Sequence, residues 1–109
     1  MKRNSKQGLF VDLESMIEFA KDGIVSKTVV KDAGSEVSLF CMSTGQELST
    51  HSANFPAVIH VLKGTGQIML GNQSYEGKTN SWFYMPKGLP HSLRSTENLV
   101  FLLTLFKKQ

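Results

Sequence analysis

An all-β sandwich or barrel is the fold class this sequence predicts, on three observations. From Ile24 onward the chain falls into short runs rich in Val, Ile, Leu, Phe and Thr, the residue types that suit a pleated, half-buried surface. Clusters of Gly, Pro, Asn and Asp separate these runs at close spacing, as in consecutive strands joined by turns. The one segment with helical periodicity lies ahead of them, at Asp12 to Phe19.

Size and composition agree with such a domain. The chain has 109 residues and a mass of 12.1 kDa, with 40% hydrophobic and 19% charged residues. A single globular domain spanning 1–109 is expected, with one core. The longest apolar run, Leu99 to Phe106 with Thr104 inside it, falls far short of the ~20 residues a membrane helix needs. Met1 to Phe10 is polar and basic, unlike a secretory leader. Cys41 is the only cysteine, so no intrachain disulfide forms. These features predict a soluble, cytoplasmic protein that does not engage a membrane. The net charge of +3 comes from basic residues near both ends and from lysines set beside acids. A nucleic-acid surface shows a clustered basic stripe instead, and no nucleic-acid partner is expected.

Taken in order, residues 1–10 read as a flexible N-terminus. Asp12 can cap a helix, and Leu13, Met16, Ile17 and Ala20 fall at helical spacing, with Gly23 ending the segment. Strands are predicted at Val25–Lys31, Val37–Met42, Leu48–Ser52 and Ala57–Leu62. Five more follow at Gln67–Leu70, Gln73–Glu76, Ser81–Met85, His91–Ser95 and Leu99–Phe106. Lys63-Gly64-Thr65-Gly66 joins two strands, so it is a turn and not a phosphate loop. Several strands are apolar on both faces. A second buried surface beyond the core follows, most simply a homodimer interface on the outer sheet.

The order of turns and histidines resembles the cupin superfamily, in particular its small single-domain bacterial members. The first cupin motif reads G-x5-H-x-H-x3,4-E-x6-G. Gly45 and His51 match it, Ala53 and Ala57 stand at the second histidine and the glutamate, and Gly64 closes it. The second reads G-x5-P-x-G-x2-H-x3-N. Pro86, Gly88 and His91 match it, with Asn80 in the glycine place and Ser95 in the final place. Asn tolerates the left-handed backbone that a glycine there would supply. The resemblance covers 34–105 and implies a double-stranded β-helix, a jelly-roll barrel, with a short N-terminal helix.

It also implies a pocket inside the barrel. Family members typically hold iron, manganese, nickel or zinc through three histidines and a glutamate; this chain keeps two of those four places, His51 and His91. His51 and His91 are the candidate site, anchoring a metal or an anionic ligand at the barrel mouth. His60 is the candidate third metal ligand, although strand alternation from Ala57 turns it outward unless a bulge intervenes. Glu47 is the nearest carboxylate, and regular alternation would set it on the face of His51. Cys41 and Tyr84 are candidate pocket residues; packing is the plainer reading for both, and for Trp82 on the face of Tyr84. Ser49, Gln46 and Gln67 could add hydrogen bonds.

Two functions follow. One is a module that binds a small molecule or a metal ion in the pocket. The other is a metal-dependent enzyme, an oxygenase or isomerase. A divalent transition metal and a metal-free pocket fit the two-histidine pattern equally, and a vestigial pocket in an interaction protein is the third possibility. What fills the space beside Ala53 and Ala57 discriminates among them.

Overall fold

A computed structural model describes residues 7–107. Among them the chain forms nine strands: β1 (Ile24–Lys31), β2 (Ser35–Met42), β3 (Glu47–His51), β4 (Ala57–Lys63), β5 (Gly66–Leu70), β6 (Gln73–Gly77), β7 (Trp82–Met85), β8 (His91–Ser95) and β9 (Leu99–Phe106). Each lies within two residues of its expected bounds. The expected flexible N-terminus at 1–10 lies partly outside the described residues.

The strands assemble into two antiparallel sheets, ordered β1-β2-β9-β4-β7 and β3-β8-β5-β6. The chain crosses from one sheet to the other repeatedly. Hydrogen-bonded neighbours such as β2 and β9, or β3 and β8, are therefore distant in sequence. This is the jelly-roll arrangement, and it brings both histidines to one sheet.

The core lies between the sheets. Met42, Ile59, Val61, Phe83, Leu99 and Phe101 project from the five-stranded sheet against Ile68 and Leu93 of the other. Phe40 stacks on Phe101 with ring centroids 5.0 Å apart and planes 2° from parallel. Their strands pair directly, Phe40 opposite Phe101, so the contact is a cross-strand aromatic pair.

A second apolar cluster explains the strands that are apolar on both faces. Leu39, Cys41 and Val100 pack with Val25, Leu62 and Leu102 on the outer face of the five-stranded sheet, under Met16 and Ile17. The N-terminal segment thus covers part of the surface that the apolar pattern assigned to a second copy. The expected helix over Asp12 to Phe19 is corrected to one 3-10 turn, Leu13–Met16. Asp12 caps it, its carboxylate accepting from the Glu14 N–H at 3.1 Å. A helix of two turns cannot offset its nucleation cost alone. Ile17 instead leaves the turn in extended conformation, φ −67°, ψ 127°, and joins the outer cluster. No described helix is long and apolar enough to cross a membrane.

Two backbone positions confirm the turn reading. Asn80 has φ +73°, the left-handed conformation expected of the residue in the glycine place. Gly64 has φ +83° and packs against the backbone of Asn98; a Cβ there would lie 1.8 Å from the Asn98 carbonyl oxygen. That close approach joins the β4–β5 turn to the β8–β9 turn.

Candidate functional site

The site is built by the pairing of β3 with β8. Leu48 sits opposite Leu93, and His51 opposite His91. That is three steps along β3 against two along β8, so β3 carries a bulge between Leu48 and His51. The extra residue reverses the strand's parity. Leu48 and His51 consequently share the inner face, while Glu47 pairs with Arg94 on the outside, 3.7 Å away. This corrects the expectation that regular alternation sets Glu47 beside His51.

Backbone contacts position both histidines. The Gly88 N–H donates to the Ala53 carbonyl at 2.9 Å and the Gly71 N–H to the Pro90 carbonyl at 2.8 Å, which holds the proline-glycine loop that delivers His91. At the other end of β8, the Gly45 N–H donates to the Ser95 carbonyl at 2.8 Å. The Ser95 hydroxyl donates to the Ser43 carbonyl at 2.6 Å and accepts from the Gln46 N–H at 2.9 Å. Ser95 is fully buried. It stands in the motif's final place and clamps the turn that leads into β3.

The two imidazoles meet edge to face, with ring centroids 4.3 Å apart and planes at 61°. His91 is 6% exposed, whereas His51 is exposed at the mouth. His51 Nδ1 lies 3.0 Å from the Ser49 carbonyl oxygen, and His91 Nδ1 lies 3.0 Å from that of Leu89. A carbonyl oxygen only accepts, so each Nδ1 carries a proton and donates it. In the neutral ring Nε2 is then the bare nitrogen. Two rings in contact thus each keep an Nε2 that can accept a hydrogen bond.

Behind them is a pocket of about 120 Å³. Its other walls are Phe40, Ile59, Phe101 and Leu103 from one sheet and Leu48 and Leu93 from the other. Ala57 lies outside this lining; it is buried between Met85 and Leu105, its neighbours on the adjoining strands. The space at Ala57 is thus packed, and the open, largely apolar space lies instead among the pocket's own walls.

The other candidates lie elsewhere, by strand parity. Phe40 lines the pocket, which turns Cys41 to the opposite face, where it packs in the outer cluster. Ile59 lines the pocket, so His60 faces outward between Trp82 and Leu102. Phe83 is in the core, and Tyr84 points away from it, 49% exposed, with Trp82 61% exposed nearby. The pocket placements of Cys41, His60 and Tyr84 are thus corrected, as is the reading of Trp82 and Tyr84 as packed residues. Ser49 contributes a carbonyl, and Gln67 bonds to Ser74 on the outer face. Sequence reasoning missed the apolar wall. Alternation along β2 sets Phe40 on the face opposite Leu39 and Cys41, but which of the two faces is the inner one, and that Leu103 and Leu48 lie near Phe40, is decided by the topology.

A metal of the kind the resemblance implies meets a donor set that does not fit it. His51 and His91 supply two nitrogens where protein sites for divalent transition metals commonly supply three or four ligands. Among the described residues no three His, Cys, Asp or Glu side chains are grouped to hold an ion.

Comparison with known proteins agrees with this architecture. An uncharacterized protein of Aquifex aeolicus is 27% identical over 97 residues, covering 87% of this chain and 80% of that one. A conserved Streptococcus pyogenes protein of unknown function superposes with a TM-score of 0.84 at 26% identity, covering 98% and 94% of the two chains. Salicylate 1,2-dioxygenase from Pseudaminobacter salicylatoxidans shares the fold alone, with a TM-score of 0.73 at 15% identity over 77% of this chain and 26% of the dioxygenase. The Cupin domain family matches residues 38–105, which hold both histidines, every pocket wall and the turns between them; the chain belongs to the cupin family.

Proposed function

We propose that this cupin is a cytoplasmic small-molecule-binding protein, with the barrel pocket as its site and His51 and His91 as the polar anchors. The observation that carries this reading is the open apolar space beside two imidazoles whose Nε2 atoms have no backbone partner among the described residues. Small-molecule sites have this character, an apolar cleft with a few placed polar groups. A vestigial pocket would be filled by side chains.

The alternative, a metal-dependent oxygenase or isomerase, rests on the same two nitrogens and requires further ligands from outside the protein. Elemental analysis after incubation with iron, manganese, nickel or zinc and dialysis separates the two readings. The binding reading expects no retained metal, and a Tm raised by small apolar-bodied ligands in the wild type and not in the His51→Ala, His91→Ala double variant. Stoichiometric metal in the wild type that is lost in the double variant overturns it.

A homodimer belongs to the same proposal. Trp82 and Tyr84 flank His60 on the part of the outer sheet that the N-terminal segment leaves open, and a second copy seated there would cover them. Sedimentation velocity is expected to show a dimer that Trp82→Ala weakens. A wild type that stays monomeric across the concentration range rejects this part.

A further inference from the structure

Resting on the pocket reading above, we propose that the ligand is a neutral, single-ring hydroxyl compound of the phenol class, held by O–H donation to an imidazole Nε2. Three features of the site lead to it. The first is the fixed direction of the hydrogen bonds. Both Nδ1–H groups are committed to backbone carbonyls, at Ser49 and Leu89, so neutral rings offer the pocket acceptors and no donor. A ligand donor is what they lack.

The second is the lack of a countercharge. Among the described residues no lysine or arginine lines the pocket, and the nearby Arg94 is on the outer face with Glu47. A carboxylate or phosphate entering here would lose its hydration without a fixed cation to replace it, and burying an unpaired charge is strongly unfavourable. An uncharged head avoids that loss.

The third is size and shape. A cavity of ~150 Å³ lined by Leu, Ile and Phe accommodates benzene; this pocket is about 120 Å³ and open at the histidine end. It therefore accepts one six-membered ring with its substituent at the mouth. Phe40 and Phe101, stacked with ring centroids 5.0 Å apart, both line the pocket, and a ligand ring can add to them in offset or edge-on contact.

The test is calorimetric titration of the intact protein at about pH 8, where free imidazole is neutral, with phenol, catechol, toluene and benzoate as probes. Phenol or catechol is expected to bind about tenfold more tightly than toluene, the worth of one good hydrogen bond; benzoate is expected to be weaker still. His51→Ala, at an exposed position, should reduce the advantage of phenol over toluene, and His51→Gln should restore part of it. Imidazole nitrogen NMR should show phenol shifting the Nε2 signals and leaving Nδ1 protonated. Toluene binding as tightly as phenol, or benzoate binding best, overturns the phenol assignment while the pocket reading stands. If none of the four probes binds the wild type, both fall.

Discussion

Gly64→Ala, set against Gly45→Ala, separates two costs that glycine avoids in this fold. Both residues have a left-handed backbone, φ +83° and +84°. An alanine in that region is strained by about 1–2 kcal/mol. At Gly45 nothing lies within 4 Å of the added Cβ, so strain is the whole effect. At Gly64 the Cβ would stand 1.8 Å from the Asn98 carbonyl oxygen and 3.1 Å from the Leu99 Cα. Both obstacles are backbone, and no rotamer change relieves them. The two turns must part, which stretches the bonds from the Thr96 and Glu97 N–H groups to the Thr65 carbonyl, at 3.1 and 3.3 Å, and the Thr65–Thr96 hydroxyl pair at 2.7 Å. At about 0.5–1.5 kcal/mol for each of these bonds, Gly64→Ala should cost roughly 2–4 kcal/mol more than Gly45→Ala. Urea denaturation followed by far-ultraviolet circular dichroism measures both. Equal losses for the two variants would refute the close approach of the turns.

Three further outcomes follow from the packing and the surface charges. Phe101→Ala removes a ring that is 1% exposed and stacked on Phe40; a loss of about 3–5 kcal/mol is expected, read as a lower denaturation midpoint. Ser95→Ala deletes the hydroxyl that donates to the Ser43 carbonyl and accepts from the Gln46 N–H; these half-buried groups keep only their mutual bond at 3.3 Å, so the loss should be about 0.5–1.5 kcal/mol and, because the turn before β3 loosens, the His51 amide signal should broaden in NMR spectra. Glu18 is held below 4.5 by a hydrogen bond from Lys27 and then by its charge. A depressed folded value means its contribution is present at neutral pH and lost as pH falls through that value. Glu18→Gln should remove this small, salt-screened difference between denaturation midpoints near neutral and acid pH.

The local sequence was enough to determined strand positions and turn chemistry, because both depend on neighbouring residues. Short runs of strand-favouring residues between turn clusters marked all nine strands, and Asn80 could be read as a left-handed position because few other residues tolerate one. Parity from Ala57 also turned His60 outward correctly. The helix at Asp12 to Phe19 failed as an expectation because Met16 and Ile17 gain more by docking on Leu39 and Cys41 than a two-turn helix gains by itself. Glu47 was misplaced because the bulge in β3 exists only as a mismatch with β8, and no single strand encodes a mismatch. The motif spacing suggested that His51 and His91 meet, but the fit of their rings, the direction of their hydrogen bonds and the pocket behind them were decided by tertiary structure. Phe40, Leu48, Ile59 and Leu103 belong to four strands in two sheets, and the space they leave is set by how those sheets pack, a property no local pattern carries.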